Sequence, residues 1–189
     1  MKKLVLAALL GFGVFVAGCA TTDTTANAKA GKLSDEQYAN LFADCLFNEN
    51  KVSCYKVIFS GRLDSVEKCG ITCYSAGDIY MMVENYQQAF KYYKKSCDIN
   101  DKIGCFKLAI LYSEGKGVRQ DFTSARKSFE KACDANLATA CNNLGVLYAN
   151  GKGVNQNLST AKKYFGKACD LGAQFGCDSY KELNEMGVK

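Results

Sequence analysis

The sequence repeats with a period of 36 residues, and this feature constrains the fold more than any other. Segments 105–140 and 141–176 share 16 identical residues out of 36, including the runs GKGV and KACD. Cysteines belong to the repeat, because they recur at this interval in two sets: Cys97, Cys133, Cys169 and Cys105, Cys141, Cys177. A fixed period of this length is typical of solenoids, in which each repeat packs against its neighbours. The pattern favours a binding scaffold but does not indicate its ligand.

Each repeat predicts a hairpin of two antiparallel helices, A and B, which makes the fold class all-α. The loop GKGV joins the two helices, and its glycines supply backbone conformations that residues with a Cβ resist. This loop is missing after Tyr80. We expect Gly145 and Ala161 to allow close approach of the helices. The predicted buried positions of the last full unit are Leu144, Gly145, Leu147, Tyr148, Ala161, Tyr164, Phe165 and Ala168.

Residues 1–18 predict a cleaved export signal, because Lys2 and Lys3 precede an apolar run too short to span a bilayer. The sequence VAGC that ends at Cys19 resembles a bacterial lipobox, which implies a lipid anchor on Cys19. Ala20, at the next position, resembles the sorting residue of outer-membrane lipoproteins. The resemblance implies an outer-membrane lipoprotein of a Gram-negative bacterium, which would face the periplasm or the cell surface. The alternative is an ordinary cleaved signal that leaves Cys19 free.

Three segments follow the signal. Residues 19–33 carry the lipidated cysteine and small polar residues, which predict a disordered tether. Residues 34–72 predict a degenerate repeat that begins with a capping box at Ser34 and covers the N-terminal end of the stack. Residues 73–189 predict the regular repeats, closed by a capping helix from Ala173 to about Met186.

Composition excludes several functions. Removal of Lys2 and Lys3 with the signal lowers the formal net charge from +5 to +3, which is too small to argue for nucleic acid. Histidine is absent from the sequence, so the commonest metal ligand and the usual general base are missing. We expect no metal and no cofactor. Ten of the eleven cysteines remain after Cys19, an even number that favours five disulfides in an exported chain.

Each C-x7-C pair joins the end of one helix B to the start of the next helix A, where a bond across the turn is geometrically reasonable. Such a bond would clamp neighbouring hairpins and stabilise them by roughly 2.5 kcal/mol on the chain-entropy model. The spacing is distorted in the N-terminal third. The predicted bonds are Cys45–Cys54, Cys69–Cys73, Cys97–Cys105, Cys133–Cys141 and Cys169–Cys177.

The patterns L-G-x-L-Y, G-x-G-V and A-x-x-x-[FY]-x-K-A-C resemble the Sel1-like repeat family, relatives of tetratricopeptide repeats. More closely, they resemble the cysteine-rich Sel1-repeat proteins of the Helicobacter type, over residues 73–183. The resemblance implies a right-handed α-solenoid, a disulfide between cysteines eight apart, and a concave binding face. By analogy with tetratricopeptide repeats, that face would hold Tyr74, Asp78, Phe106, Ile110, Asn142, Val146 and Asp178.

This mixture of apolar and polar side chains suits an extended peptide or a partner helix. The expected partner is therefore a protein or peptide, or else a cell-wall component. We expect the protein to be a monomer and to contact the membrane only through its lipid anchor. The alternative for Phe106 and Ile110 is packing between neighbouring helices. The lysines of helix B predict a solvated face: Lys91, Lys94, Lys95, Lys162, Lys163 and Lys167.

Two chemical alternatives remain, weak β-lactamase or penicillin-binding activity and cysteine-based metal or redox chemistry. Proteins of this family often carry the first label, and the motif S-x-x-K begins at Ser53, Ser65, Ser113, Ser124, Ser128 and Ser159. Tyr148-Ala149-Asn150 also reads Y-A-N, but no K-T-G element exists. The C-x3-C spacing of Cys69 and Cys73 is not the C-x2-C that redox and zinc sites prefer. We therefore predict a non-catalytic binding protein.

Overall fold

A computed structural model describes residues 33–59 and 73–189. The signal, Cys19, Ser65 and Cys69 lie outside these ranges. The described residues contain helices and no strand, which confirms the all-α class. No helix among them is long and apolar enough to cross a bilayer. In chain order the helices are α1 (Asp35–Asn48), α2 (Lys51–Phe59), α3 (Cys73–Met82), α4 (Tyr86–Asp98), α5 (Lys102–Glu114), α6 (Phe122–Asp134), α7 (Ala138–Asn150), α8 (Leu158–Asp170) and α9 (Gln174–Glu185).

The chain forms two compact units, of which the first contains α1, α2 and the segment Asp78–Glu84. The predicted capping box is present at the start of α1, where Ser34 and Gln37 exchange side-chain-to-backbone hydrogen bonds. The Cys45–Cys54 disulfide joins α1 to α2 and is fully buried. Its two sulfurs lie 3.9 and 3.7 Å from the sulfur of Met82, so this bond forms part of the small core.

The second unit contains residues 73–77 of α3 and everything from Asn85 to Lys189. From α4 onward, each helix packs against the next one along the chain. Helices α4, α6 and α8 are the B helices, and α5, α7 and α9 are the A helices. Equivalent residues of successive repeats form the core, which explains why the period is preserved: Leu108 and Leu144, Ala125 and Ala161, Phe129 and Phe165.

The GKGV loops hold neighbouring hairpins close together. Gly117 has a φ of 70°, and a Cβ added there would lie 2.3 Å from the backbone oxygen of Tyr86, the first residue of the preceding B helix. Gly153 repeats this arrangement, with a Cβ 2.4 Å from the backbone of Phe122. The second glycine of each loop is therefore needed both for its conformation and for close packing. Val83, Glu84 and Asn85 form the shorter connection that replaces the missing loop after Tyr80.

Disulfides staple each turn from helix B to the next helix A. The Cα atoms of Cys97–Cys105, Cys133–Cys141 and Cys169–Cys177 are 4.3, 4.7 and 4.5 Å apart. These three predicted pairs are confirmed, as is Cys45–Cys54. Cys73 is also disulfide-bonded, and its predicted partner Cys69 lies outside the described residues. Successive hairpins of the second unit are thus joined covalently as well as by packing.

Candidate functional site

The predicted binding positions of the second unit recur at two registers of the A helices. Phe106, Asn142 and Asp178 occupy the first register, each 36 residues from the next, and Ile110 and Val146 occupy the second. Residues four apart lie on the same side of a helix, so Phe106 and Ile110 share a face of α5, as Asn142 and Val146 do of α7. We call these five positions the helix-A face.

Asn142 and Val146 form the part of the helix-A face with the clearest capacity to bind. Val146 is 40% exposed, so its apolar side chain is accessible to a ligand at the surface of α7. One turn earlier, the Oδ1 atom of Asn142 is buried and has no hydrogen-bond partner among the described residues. A buried acceptor left without a donor is costly, by about 1–3 kcal/mol. Because Asn142 as a whole is half-buried, a turn of its side chain toward the surface would let this oxygen accept a hydrogen bond from an N–H group of a ligand.

Phe106 and Ile110 are both half-buried on α5. The ring of Phe106 lies 5.8 Å from that of Phe129 on α6, measured between centroids, so one side of it packs within the hairpin. The carbonyl oxygen of Ile110 accepts a hydrogen bond of 2.8 Å from Ser113. At α5 the helix-A face is therefore partly used for packing between helices.

The other predicted positions lie on α3 and α9. Tyr74 and Asp78 are half-buried on α3, where Tyr74 belongs to the second unit and Asp78 to the first. Asp178 is exposed on α9, and one of its carboxylate oxygens accepts a 2.8 Å hydrogen bond from Gln174. Asp178 therefore supplies a charged, hydrogen-bonding group at the α9 end of the helix-A face.

The five S-x-x-K serines within the described residues donate their hydroxyl protons to oxygen atoms or are buried. Ser53 bonds to Asp44, Ser113 to the carbonyl of Ile110, and Ser124 to Asp121. Ser159 bonds to the carbonyl of Lys189, and Ser128 is buried. Within 33–59 and 73–189, no serine is hydrogen-bonded to a lysine amine, the pairing that would activate a serine nucleophile. The same residues contain no cluster of three or more side chains that could hold a metal ion.

Tyr148 of α7 and Tyr164 of α8, both predicted from the sequence as buried core positions, form an aromatic pair close to charged residues of α6. The rings of Tyr148 and Tyr164 are stacked with centroids 5.5 Å apart. Burial raises the pKa of the Tyr164 phenol, and the nearby Tyr148 and Glu130 raise it further. Arg126 forms an ion pair with Glu130 one turn along α6. The stacked rings and the ion pair therefore give these side chains defined partners, which a solvated surface would not provide.

Lys162 also differs from the predicted solvated lysines. It is half-buried, and its Nζ donates to Oδ1 of Asn184 at 2.9 Å while lying 5.6 Å from the centroid of the Tyr180 ring. It thus fastens the terminal helix α9 to α8. The lysine of each GKGV loop has a similar role, because Lys116 lies over the Tyr86 ring and Lys152 over that of Phe122.

Comparison with known families agrees with this architecture. The model of the Sel1 repeat matches three consecutive segments, residues 67–101, 103–137 and 138–172, which together make up more than half of the chain. The chain belongs to the Sel1 repeat family. The first matched Sel1 repeat starts before the described part of α3, and the other two each contain one A helix, one GKGV loop and one B helix.

Among individual proteins, this Sel1 repeat chain is similar to Helicobacter pylori HcpC, a protein named as a candidate β-lactamase. The two are 44% identical over 37 residues, which cover 20% of this chain and 13% of HcpC. The match therefore covers about one repeat and supports the resemblance to the Helicobacter cysteine-rich proteins.

Solved structures show the same fold. A Sel1 repeat protein from Oxalobacter formigenes is 24% identical with a TM-score of 0.57, covering 74% of this chain and 63% of that one. The protective antigen c5321 of uropathogenic Escherichia coli has an SLR fold and is 21% identical with a TM-score of 0.61, covering 81% of this chain and 38% of that one. The Sel1-repeat solenoid fold of this chain is thus shared by proteins of low overall identity.

Proposed function

We propose that this protein is a non-catalytic scaffold that binds an extended segment of a protein or peptide on its helix-A face. The observation that carries the proposal is the buried Oδ1 of Asn142, which has no hydrogen-bond partner among the described residues and lies one turn from the exposed Val146. A peptide offers both complements, because it has apolar side chains for Val146 and a backbone N–H that can donate to the Asn142 oxygen once its side chain turns toward the surface.

The rigidity of the second unit supports this function. A preformed surface loses little entropy when it binds, which leaves more of the contact energy for affinity. Disulfides at successive turns and the closely packed glycine loops hold the A helices at a fixed register. Binding would then require no large rearrangement of the scaffold.

Selection of peptides from a random displayed library against the oxidised protein tests the proposal. We expect the selected peptides to lose affinity about ten-fold or more when Val146 is replaced by arginine or Asn142 by alanine, since central contacts dominate such interfaces. Ile99→Arg is the matched control, because Ile99 is an exposed apolar residue in the turn after α4 and is not one of the five positions of the helix-A face. Peptides that bind Val146→Arg and Asn142→Ala as well as the parent would refute the proposal.

We also propose that lipid on Cys19 anchors the monomeric scaffold to the outer membrane, with residues 20–33 as the tether. The support is the sequence VAGC after the apolar run and the absence of an acidic residue at position 20. Metabolic labelling with a fatty-acid analogue should mark the parent protein and not Cys19→Ser. Equal labelling of both proteins would contradict the lipid assignment and leave the binding face unaffected.

A further inference from the structure

The second unit contains a pocket of about 220 Å³ between α4, α5 and α6. Leu108 and Tyr112 of α5 line it together with three lysines: Lys94 of α4 and Lys127 and Lys131 of α6. These residues lie on the side of α5 that faces the B helices, at a different register from the helix-A face. The pocket is therefore separate from the proposed peptide-binding surface.

The next hairpin shows what kind of group fits at this place. Tyr148 is the 36-residue equivalent of Tyr112, and Tyr164 is the equivalent of Ser128, which also lines the pocket. In that hairpin the Tyr164 ring stacks on Tyr148 at 5.5 Å with an angle of 21° between the ring planes. Ser128 has no ring, and the pocket that it lines also includes Tyr112, whose ring already makes a T-shaped contact with Phe90 at 5.2 Å.

The two positions also differ in charge. The pocket carries three lysines and Asp98, giving a net charge of +2. At the equivalent positions of the next hairpin the formal charges cancel, because two acidic residues balance two lysines: Glu130, Asp134, Lys163 and Lys167. Lys94 is paired with Asp98 at 2.9 Å, whereas Lys127 and Lys131 take part in no salt bridge among the described residues. Two lysine ammonium groups are thus available for an anion.

We propose that this pocket binds an aromatic ring that carries a carboxylate. The ring would stack on Tyr112 as Tyr164 stacks on Tyr148, and the carboxylate would accept hydrogen bonds from Lys127 and Lys131. An engineered apolar cavity of roughly 150 Å³ accommodates benzene, so the volume of the pocket suffices for a ring. Ammonium-to-carboxylate hydrogen bonds are about twice as strong as neutral ones, which favours a charged ligand over a neutral ring.

Two sources could present this chemistry: the C-terminal aromatic residue of a peptide and a free aromatic acid. The probes are therefore N-acetyl-phenylalanine, its amide, N-acetyl-alanine, and a tetrapeptide ending in phenylalanine with a free carboxylate. Binding to the oxidised protein would be followed by NMR through shifts of signals from α5 and α6. Tighter binding of the tetrapeptide than of N-acetyl-phenylalanine identifies a chain end, and the reverse order identifies a free acid.

We expect the amide and N-acetyl-alanine to bind about ten-fold more weakly than N-acetyl-phenylalanine, because each lacks one half of the recognised group. Ser128→Tyr should abolish binding, since it introduces the ring that the next repeat already contains. The double variant Lys127→Gln/Lys131→Gln changes only exposed side chains and should weaken binding about ten-fold. The matched control is Lys163→Gln/Lys167→Gln, at the equivalent positions of the next hairpin, which should leave binding unchanged.

Equal affinity for N-acetyl-phenylalanine and its amide would overturn the proposal. So would unchanged binding by Lys127→Gln/Lys131→Gln, even if Ser128→Tyr failed to fold. The outcome is independent of the helix-A face, because Val146→Arg should bind N-acetyl-phenylalanine as the parent does.

Discussion

Replacement of Gly117 by alanine should destabilise the second unit considerably more than replacement of Gly115, two residues earlier in the same loop. The φ angles of the two glycines are 70° and 71°, so both variants place an alanine in the left-handed region at the same cost, about 1 kcal/mol. Both variants also restrict the unfolded chain equally. The difference between their free energies of unfolding therefore measures packing alone.

The packing difference can be estimated from the neighbours of each added Cβ. At Gly115 the nearest atoms belong to Gln120 at 3.2 Å, a contact that a small shift of the loop relieves. At Gly117 the nearest atom is the backbone oxygen of Tyr86 at 2.3 Å, so the loop must move away from α4. Overpacking of this kind typically costs about 1–3 kcal/mol. We expect Gly115→Ala to lose about 1 kcal/mol and Gly117→Ala about 2–4 kcal/mol.

Urea unfolding of the oxidised proteins, followed by circular dichroism, measures both values. The next repeat supplies an independent replicate, because Gly151 and Gly153 have the same φ angles within a few degrees and the same difference in nearest contacts. Equal losses for Gly115→Ala and Gly117→Ala would refute the reasoning, and so would equal losses for the second pair. Either result would mean that the glycines are needed for their conformation only.

Three further predictions concern stability. The double variant Cys133→Ala/Cys141→Ala should lose about 2.5 kcal/mol in urea unfolding, because it opens a covalent loop between cysteines 8 residues apart. Ala173→Asp should gain about 1 kcal/mol in the same assay, because α9 lacks the side-chain cap that Asp101 gives α5. Above pH ~10 an unfolded chain loses the Tyr164 proton before the folded chain does, since burial raises the pKa in the fold, so stability should fall there. Tyr164→Phe should reduce that loss, as measured by thermal unfolding against pH.

Most of the fold of the second unit could be predicted because the same residue pattern recurs every 36 residues. Cysteine spacing alone located each turn between B and A helices, and three pairs at this spacing are bonded as expected. The short connection after Tyr80 was also predictable, since the missing residues were visible against the other repeats. The first unit offered no such comparison. The Cys45–Cys54 bond was predicted by extending the pairing of cysteines eight residues apart to two cysteines that are nine apart. The contact of Met82 with that disulfide had no sequence signal.

The candidate sites were less predictable, because they depend on individual side chains rather than on the period. The register of the helix-A face came from the analogy with tetratricopeptide repeats, and packing between helices was already the alternative for Phe106, which contacts Phe129. No sequence signal indicated that the Oδ1 atom of Asn142 has no partner among the described residues. Lys162 matched the pattern of a solvated lysine. Its bond to Asn184 depends on where α9 ends, which a helical pattern places only approximately.

Differences between equivalent positions are the more informative signal in a repeat protein. A residue that recurs at each register, such as Phe129 and Phe165, is explained by the common core and reveals nothing about a ligand. A position that changes from Ser128 to Tyr164 while its neighbours Tyr112 and Tyr148 stay the same alters the surface without altering the scaffold. The stapled hairpins tolerate such changes because their stability rests on the shared core, the loops and the disulfides. Binding specificity in this chain should therefore reside where the repeats disagree, and the pocket beside Ser128 is one such position in the part of the chain that the structure describes.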